Sequence, residues 1–510
     1  MNSFIEKTRI SGDLVYNFIE QRINLGENYE LARFVISNKI EHLKFSKEYF
    51  IFTEKTFIDN FTTIMEIDNF IIYKRIEPHI ISFDIFDTLI ARKCIFPENI
   101  FNIIAEKSKI PNFKELRIKA ESLSDGTFDN IYNKFKNLSN LSDEEILKLK
   151  DIEIETELEN IFPIVENRLK LRPQDILVSD MYLSRDTIIK LLQKCGYSGD
   201  NKLYLSSNGK KKGIIWNQIK ENFSYHIGDN YNSDVISAFL WGNKKGILYS
   251  NSGLTEMEKF LISANNEAIA KLIRQTRLLN MYDTEPFKSL YNEQVNKNLP
   301  ILILYSIFIN RVCIENNYDT ILFSTRDCCL LKQVFEQLFP NYKIIKFHSS
   351  RLIYKNPSKD YVEYVKSVYH NKSIIIDLQG SGNSVQAFFD NNMNIKLNII
   401  YLILFIKQDN FNYVINDMRG DNIENINYDI EGTLLDFTNN SPIRDNLEYS
   451  VEFIKPSHEA IKIACENIKS YNIHLNQNKD EIIKILDILL FKLKDNLLLN
   501  NYVIHKQYHN

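Results

Sequence analysis

Short apolar runs alternate with amphipathic segments between residues 73 and 250. The run HIISFDIF, at residues 79–86, predicts a buried strand that leads into a loop. Four more strand-like runs follow, and segments with a helical period, such as residues 185–194, separate them. These runs lie at residues 175–179, 202–205, 224–227 and 246–249. Because strands that alternate with helices pair in parallel and are covered on both faces, we predict a Rossmann-like α/β domain with a parallel sheet.

A second alternation of this kind begins near residue 295. Apolar runs predict strands at residues 320–324, 343–348, 373–377 and 397–405, and a helix at residues 330–338. Each run is short and is bounded by polar or turn-forming residues. We therefore predict a second α/β domain over residues 295–410.

Four stretches outside these strands have mainly a helical period. Residues 1–72 are polar and poor in glycine, so we expect a helical accessory segment there. Residues 95–172 interrupt the first domain and predict several helices, one of which begins behind Ser142, a residue type that caps helices. Residues 251–294 predict a helical connector, and residues 411–510 predict a mostly helical extension.

Length and charge limit the possible functions. The chain has 510 residues, which is more than one hydrophobic core accommodates. Its formal net charge of −4 provides no overall basic field, so no nucleic acid is expected as a partner. The longest apolar stretches, 299–309 and 399–406, are shorter than the ~20 residues that cross a bilayer, so we expect no transmembrane segment. The scattered cysteines and the absence of a signal pattern favour a cytoplasmic location.

Polar residues that suit phosphate chemistry follow the strands of the first domain. ISFDIFDTL places Asp84 at one strand end, and ILVSDMYL places Ser179 at another. The basic run in SSNGKKKG offers Lys210, and YHIGDNYNSD offers Asp229 and Asp234 on one loop. The carboxyl ends of parallel strands meet at one edge of the sheet, where open α/β sheets bind ligands. We therefore expect these side chains to converge.

This set of residue types fits phosphoryl transfer. A carboxylate such as Asp84 can attack phosphorus and form an acyl phosphate, which divides one difficult step into two. The charge on the transferred group has to be balanced by a cation and by fixed donors. Mg²⁺ prefers oxygen ligands. The predicted ligand set is Asp84, the main-chain carbonyl of Phe86, Asp229 and Asp234, the last of which would orient the others, while Ser179 and Lys210 would bind the phosphoryl oxygens.

The four segments, in this order, resemble the four motifs of the haloacid dehalogenase superfamily. The helices at residues 95–172 lie where that family carries a cap that closes over the substrate. The resemblance covers residues 73–250 and implies a magnesium-dependent hydrolase with Asp84 as its nucleophile.

One position departs from the phosphatases of that superfamily, in which the second residue after the nucleophile is an aspartate that acts as general acid and base. Here Phe86 occupies this position, and Asp87 follows it. The dehalogenases carry an aromatic residue there. Carbon–halogen chemistry, slow phosphate hydrolysis, and an acid supplied by Asp87, Asp180 or a cap residue therefore remain open. The lysine, the serine and the acidic loop favour phosphate.

A second phosphate site is predicted in the second domain. SIIIDLQGSGNSVQAFF predicts a buried strand that ends near Asp377, a loop of small residues and the start of a helix. The loop consists of Gly380, Ser381, Gly382, Asn383 and Ser384, and its backbone N–H groups would turn toward one anion. Asp377 would hold the hydroxyls of a sugar. Arg326 and Arg351 follow two further strands, and their planar guanidinium groups suit pyrophosphate.

These features resemble a type I phosphoribosyltransferase over residues 295–410, although that family usually carries two adjacent acids and Leu378 follows Asp377 here. The two-domain layout resembles bacterial enzymes that add ribofuranose to surface glycans. It implies transfer from phosphoribosyl pyrophosphate to a glycan or lipid-linked glycan acceptor, after which the phosphatase removes the 5-phosphate. Two alternatives remain. One is a phosphatase that acts on a phosphorylated sugar or another small molecule, with a substrate-binding C-terminal domain, and the other is a non-catalytic scaffold in glycan assembly.

Overall fold

The structure is a computed structural model of the 510-residue chain. It describes residues 80–502, apart from short gaps, and four strands that precede residue 80. The gaps are residue 208 and residues 408–410, 418–420, 440, 448–449, 474–477 and 495–496. The prediction for residues 1–42 therefore lies outside the described residues.

The first described elements form an antiparallel sheet. They are β1 (Leu43–Phe45), β2 (Tyr49–Phe52), β3 (Phe61–Ile67) and β4 (Phe70–Arg75), in the order β1-β2-β4-β3. The helical prediction for residues 1–72 is wrong where it covers these strands. Phenylalanine, tyrosine, isoleucine and threonine fill most of β2, β3 and β4, and such aromatic and β-branched residues favour strands.

The first α/β domain begins with β5 (Ile80–Phe83) and carries a large helical insertion. The insertion lies between β6 (Ile90–Arg92) and β7 (Ile161–Pro163), which pair with each other in antiparallel fashion. Its helices are α1 (Ile100–Ser108), α2 (Phe113–Ser122), α3 (Phe128–Ser139) and α4 (Asp143–Glu159). The chain continues through α5 (Val165–Lys170), β8 (Ile176–Asp180), α6 (Arg185–Lys194), β9 (Lys202–Ser206), β10 (Phe223–Gly228), α7 (Ser237–Gly242) and β11 (Lys245–Leu248).

The five long strands of this domain form a parallel sheet in the order β11-β10-β5-β8-β9. The predicted parallel α/β sheet is confirmed. The chain runs outward from β5 through β8 to β9, and it then returns to the other side of β5 as β10. The strand order therefore reverses between β5 and β10, and a crevice opens at the carboxyl ends of these two strands.

The helical insertion has its own small core. Ser142 begins α4 with a capping box, because its side chain accepts a hydrogen bond from the Glu145 N–H while the Glu145 side chain accepts one from the Ser142 N–H. The fully buried Arg117 donates to both carboxylate oxygens of Glu153, at 2.9 and 3.1 Å. Its guanidinium carbon also lies 4.7 Å from the ring centre of Tyr182, which follows β8. Tyr182 thus joins the insertion to the sheet domain.

The second part of the chain begins with three helices, α8 (Glu256–Ser263), α9 (Glu267–Leu278) and α10 (Phe287–Glu293), and they lead to the long helix α11 (Leu299–Asn316). The helical prediction for residues 251–294 agrees with these elements. These helices also contribute to the core of the second domain, because Ile269, Leu272 and Ile273 belong to the same buried cluster as the strands of the second sheet.

The second sheet is also parallel. Its elements are β12 (Thr320–Ser324), α12 (Cys329–Leu338), β13 (Lys343–Phe347), α13 (Arg351–Lys355), α14 (Lys359–Val368), β14 (Ser373–Gly380), α15 (Asn383–Asn392), β15 (Ile399–Leu404) and β16 (Asn412–Asn416). The order is β13-β12-β14-β15-β16, so this sheet reverses between β12 and β14. The predicted second α/β domain is confirmed as an architecture.

The boundary predicted at residue 410 is too early, because β16 extends the sheet beyond it. The strand NYVIN contains two asparagines, which weaken the strand pattern in the sequence. The chain then forms α16 (Asp421–Asn425), the hairpin β17 (Leu434–Thr438) and β18 (Ser441–Arg444), and the helices α17 (Val451–Asn467) and α18 (Lys479–Lys492). The mostly helical prediction for residues 411–510 is therefore wrong where it covers β16, β17 and β18, and right for α16, α17 and α18.

One helical run among the described residues, Phe287–Asn316, is apolar and long enough to span a bilayer. Of its most apolar window, 83% is buried in the fold. The run includes α10 and α11, and α11 packs inside the second domain against α12 and α18.

Candidate functional site

Three carboxylates meet at the crevice of the first sheet. Asp84 follows β5, and its backbone N–H donates to the carbonyl of Ile227 in β10 at 2.8 Å. Asp229 and Asp234 follow β10, and one oxygen atom from each of the three carboxylates lies within 4.8 Å of the others. The expected convergence of residues 84, 229 and 234 is therefore present in the fold.

Lys210 is the cation among these carboxylates. Its ammonium group donates to Asp234 at 2.8 Å and forms an ion pair with Asp84. The residue is only 2% exposed, whereas Lys211 and Lys212 lie at the surface. Within this run, Lys210 is the lysine that forms an ion pair with Asp84.

The loop that carries Lys210 is fixed by Asp180, the last residue of β8. The Asp180 carboxylate accepts hydrogen bonds from the backbone N–H of Gly209 at 2.9 Å and of Lys210 at 2.9 Å. It also accepts one from the hydroxyl of Ser206. The Trp216 indole N–H donates to the carbonyl of Lys210 at 3.1 Å. With these donors, Asp180 positions the lysine, and a role as the proton donor is less suited to it.

Asp234 is held by protein groups on both of its oxygens. Oδ1 lies 2.8 Å from Lys210 Nζ and 3.3 Å from His226 Nε2, and Oδ2 accepts the backbone N–H of Asn230 at 2.9 Å. Gly228 allows this close approach, because a Cβ atom there would lie 2.3 Å from the Asp234 carboxyl carbon. His226 is fully buried, and its Nδ1 lies 2.8 Å from the hydroxyl of Ser82. His226 is therefore a hydrogen-bonding residue of the core.

Burial dominates the electrostatics of the site. It raises the pKa of Asp84 well above its ordinary value, and the nearby carboxylates of Asp234 and Asp229 add to this rise while Lys210 opposes it. Burial also raises the pKa of Asp229 to about 7, with further contributions from Asp87 and Asp234. Burial lowers the pKa of Lys210, but the adjacent carboxylates of Asp84 and Asp234 outweigh it and hold that pKa above its usual range. With all groups ionised, the three carboxylates and the ammonium carry a formal charge of −2. A divalent cation would therefore neutralise the formal charge of the site.

The cluster opens into a cavity of about 1110 Å³ between the sheet and the helical insertion. Ser179, which is 2% exposed at the end of β8, lines the cavity together with Asp84 and Lys210. The insertion contributes a wall of mixed character. Its lining residues are Pro97, Glu98, Phe101, Ile118, Glu121, Ser122, Ser124, Asp125 and Gly126. The part of a ligand that extends from Asp84 into the cavity would therefore meet carboxylates, hydroxyls and a few apolar side chains.

The departure at position 86 is stabilised by its surroundings. The Arg92 guanidinium lies 4.2 Å from the ring centre of Phe86, and Glu157 accepts two hydrogen bonds from it at 2.9 Å. Asp87 adopts a left-handed conformation (φ +54°) and accepts a hydrogen bond from Arg274 at 2.8 Å. The Asp87 carboxylate is thus engaged by Arg274. Glu98, Glu121 and Asp125 remain as carboxylates on the cavity wall.

Arg274 belongs to no motif in the sequence, yet it contacts the first site. It lies on α9, 187 residues beyond Asp87, and is only 3% exposed. Besides Asp87, its guanidinium donates to the carbonyl oxygens of Arg92 at 3.0 Å and Ser252 at 2.9 Å. One side chain from the second half of the chain thus fixes the loop that follows Asp84.

A second group of charged residues lies at the switch point of the second sheet. Burial raises the pKa of Asp377 and also that of Glu424, the latter to about 7, and the neighbouring Asp327 adds to both. The positive charges of Arg326 and Arg351 lower the pKa of Glu424 and so oppose this rise. The structure thus brings Asp377, Arg326 and Arg351 together with two acids that the sequence did not single out. Asp327 follows β12, and Glu424 lies on α16.

Packing explains part of the small-residue loop in the second domain. Gly382 has φ +75°, and a Cβ atom there would lie 2.2 Å from the ring of Phe411. A Cβ atom at Gly380 would lie 3.2 Å from the ring of Tyr401. These glycines are needed whether or not an anion binds, so the cradle at residues 380–384 stays a prediction.

No protein-family model matches this chain, and no curated protein is significantly similar to it. The resemblances drawn from the motifs therefore rest on the residues alone.

Proposed function

We propose that the first domain hydrolyses phosphate monoesters with Asp84 as the nucleophile and with Mg²⁺ as its cofactor. The observation that carries this proposal is the meeting of Asp84, Lys210, Asp229 and Asp234 at the switch point of a parallel sheet, beneath a cavity that the helical insertion lines on one side. A structural ion-pair network would not need the cavity or the excess of negative charge.

The residues fit a divalent cation. Asp84, Asp229 and the main-chain carbonyl of Phe86 would hold it, because carboxylate and carbonyl oxygens are the ligands that Mg²⁺ prefers. Asp234 would orient these ligands, since both of its oxygens are already engaged by Lys210, His226 and the Asn230 backbone. When bound, the cation supplies charge neutralisation for the transferred phosphoryl group.

The chain's own residues would perform the two displacements. An Asp84 oxygen forms a bond to phosphorus, and the bond from phosphorus to the ester oxygen breaks, so that the alcohol leaves and takes up a proton. A water molecule then attacks the aspartyl phosphate, releases inorganic phosphate and restores Asp84. Lys210 and Ser179 would bind the phosphoryl oxygens. A cap carboxylate such as Glu98 would provide the proton in place of an acid at position 86.

The test measures phosphate release by the full chain from ribose 5-phosphate and other sugar phosphates, with Mg²⁺ and with a chelator. We expect release that requires Mg²⁺ and falls on the order of 10⁴-fold or more in Asp84→Asn. Asp186→Asn, at an exposed carboxylate on α6, is the matched control and keeps the activity. Equal phosphate release by wild type and Asp84→Asn would instead favour a scaffold in glycan assembly.

A second function is favoured by the charged cluster of the second sheet. Asp377 and Glu424 offer acceptors for sugar hydroxyls, and Arg326 and Arg351 offer donors for phosphate oxygens. This combination supports a phosphorylated sugar as ligand and keeps phosphoribosyl pyrophosphate as the proposed donor, with a glycan as acceptor. Together the two domains would add ribofuranose to a bacterial surface glycan.

The second function is tested by pyrophosphate release from phosphoribosyl pyrophosphate in the presence of glycan acceptors. We expect Asp377→Ala to abolish this release while phosphate release at Asp84 continues. If wild type itself forms no pyrophosphate, the better account is a small-molecule phosphatase with a substrate-binding C-terminal domain.

A further inference from the structure

Helix α7 presents its large side chains to solvent. Phe239 is 65% exposed, Leu240 is 64% exposed and Trp241 is 52% exposed. The residues that α7 buries are Ser237 and Ala238, which are small. A surface helix ordinarily turns its large apolar residues inward. The arrangement is reversed here, and an exposed apolar patch of this kind marks an interaction surface.

Neighbouring loops extend the patch. Trp241 packs against the turn at Gly213, where a Cβ atom would lie 2.5 Å from its ring, and this contact brings the half-exposed Ile214 beside it. Ile236 and Tyr231, from the helical turn that precedes α7, are 38% and 57% exposed. We call these residues the α7 face. It consists of Ile214, Tyr231, Ile236, Phe239, Leu240 and Trp241.

The surroundings of the α7 face are basic. Lys211 and Lys212 are exposed and precede Gly213 directly. Lys244 and Lys245 follow α7, and together with Ile236 and Phe239 they line a hollow of about 350 Å³. Apolar and aromatic side chains are therefore edged by lysine at both ends of the face.

The α7 face also adjoins the mouth of the candidate active site. Lys211 and Lys212 line the cavity above Asp84, and so do Asn232 and Ser233 from the turn that carries Tyr231 and Ile236. Whatever covers the α7 face would therefore lie beside the entrance of the cavity.

We propose that the α7 face binds an anionic lipid surface. Lysine is depleted at protein–protein interfaces, whereas tryptophan, tyrosine, leucine and phenylalanine next to lysine are the side chains that anchor proteins at the interface of an anionic bilayer. Charge complementarity therefore favours lipid headgroups over a second protein. The cavity mouth, which Lys211 and Lys212 line, would then lie beside the bilayer surface. The inference does not depend on catalysis by Asp84.

The first experiment is co-sedimentation of the full chain with vesicles. One set contains phosphatidylcholine only, and the other also contains phosphatidylglycerol. We expect binding to the anionic vesicles that weakens as salt is added, because salt screens the lysines. The triple variant F239S/L240S/W241S should bind at least about tenfold more weakly, because it loses the apolar contacts. The double variant K211E/K212E should also bind more weakly.

Intrinsic fluorescence gives a second readout on the same surface. The chain has two tryptophans, of which Trp216 is 4% exposed and Trp241 is 52% exposed. Anionic vesicles should shift the emission of Trp241 to shorter wavelength and protect it from acrylamide. W241F, a conservative change, should lose this response while it keeps the emission of the buried Trp216.

The matched control is L123S/L147S, which removes two apolar residues of the helical insertion that are 54% and 61% exposed. This variant should bind vesicles as wild type does. The proposal is wrong if wild type binds both vesicle types equally or neither, or if the triple variant and the control bind alike. It is also wrong if wild type forms a dimer that the triple variant abolishes, since the α7 face would then join two copies of the chain.

Discussion

The two halves of the chain use the same architecture in different ways. Each has a five-stranded parallel sheet, and in each the charged residues gather where the strand order reverses. At the first switch point three carboxylates share one lysine beneath a large cavity. At the second, three acids are matched by two arginines, and aromatic rings pack against the glycines of the adjacent loop.

The difference lies in charge balance and in what the glycines contact. The first group is negative in excess, so it suits a cation and the chemistry that a cation supports. The second group is nearly balanced, so it suits a ligand with both hydroxyls and negative charge. Gly228 makes room for the Asp234 carboxylate, whereas Gly382 makes room for the ring of Phe411. The same residue type thus accommodates a charged group in one domain and an aromatic ring in the other.

Substitution of these two glycines gives the largest expected contrast. Gly228→Ala should lower phosphate release on the order of 10³-fold, because the new methyl group displaces Asp234 from Lys210 and His226. Gly382→Ala should instead destabilise the fold by about 1–3 kcal/mol, because its methyl group overlaps Phe411. Urea unfolding and phosphate release, measured on both variants, separate the two effects. If Gly228→Ala and Gly382→Ala lost equal phosphatase activity, the proposed difference between the two glycines would be wrong.

Lys210→Met removes the only ammonium group seen among the three carboxylates in the described structure. We expect a fall in kcat of about 10²–10³-fold, because a donor to the phosphoryl oxygens is lost. Without metal the variant should also be less stable by about 3–5 kcal/mol, since buried carboxylates lose their partner. Mg²⁺ should then raise the melting temperature more in the variant than in wild type. Lys190→Met, at an exposed position on α6, should show neither change.

Arg274→Met tests whether the second half of the chain positions the first site. Loss of its hydrogen bonds to Asp87, Arg92 and Ser252 should lower kcat about tenfold and destabilise the protein by about 1–3 kcal/mol. Arg274→Lys should rescue little, because one ammonium cannot reproduce the planar fork. A double-mutant cycle with Asp87→Asn should give a coupling energy of about 0.5–3 kcal/mol. If the free-energy effects of the two substitutions are additive, Arg274 does not act on the site through Asp87.

The pH dependence of stability tests the acidic side of the first site through Asp229. The pKa of Asp229 is about 7 in the folded protein against an ordinary 3.8, so the folded state holds this proton more tightly than the unfolded state. The stabilisation is present below about pH 4 and is lost as pH rises to about 7 in the absence of metal. Because Mg²⁺ binds the ionised carboxylate, the rise in melting temperature on adding Mg²⁺ should increase from about pH 4 to about pH 7. In Asp229→Asn, the rise in melting temperature should depend less on pH.

The sequence predicts those features that depend on local pattern. The strands at residues 320–324 and the helix at residues 185–194 are found at the predicted positions, because short apolar runs and helical periods are local signals. The sequence also predicts Lys210 as the lysine of the first site, and it is the one of the run that is buried beside Asp84.

Features that depend on long-range contacts were missed. Arg274 carries no motif, and only the packing of α9 brings it to Asp87. Glu424 lies on a five-residue helix beyond the predicted end of the second domain. The strands at residues 43–75 were assigned as helix, because the spacing of a few apolar residues outweighed their strand-forming composition.

The guanidinium of Arg274 also bears on how the chain can be divided. A fragment that ends at residue 250 would keep all the motif residues of the first site, yet it would lack the two hydrogen bonds that Arg274 donates to Asp87 and to the carbonyl of Arg92. Such a fragment should fold around the sheet and still turn over slowly. The two proposed activities would then depend on one continuous chain, because a residue of the second half holds a loop of the first site.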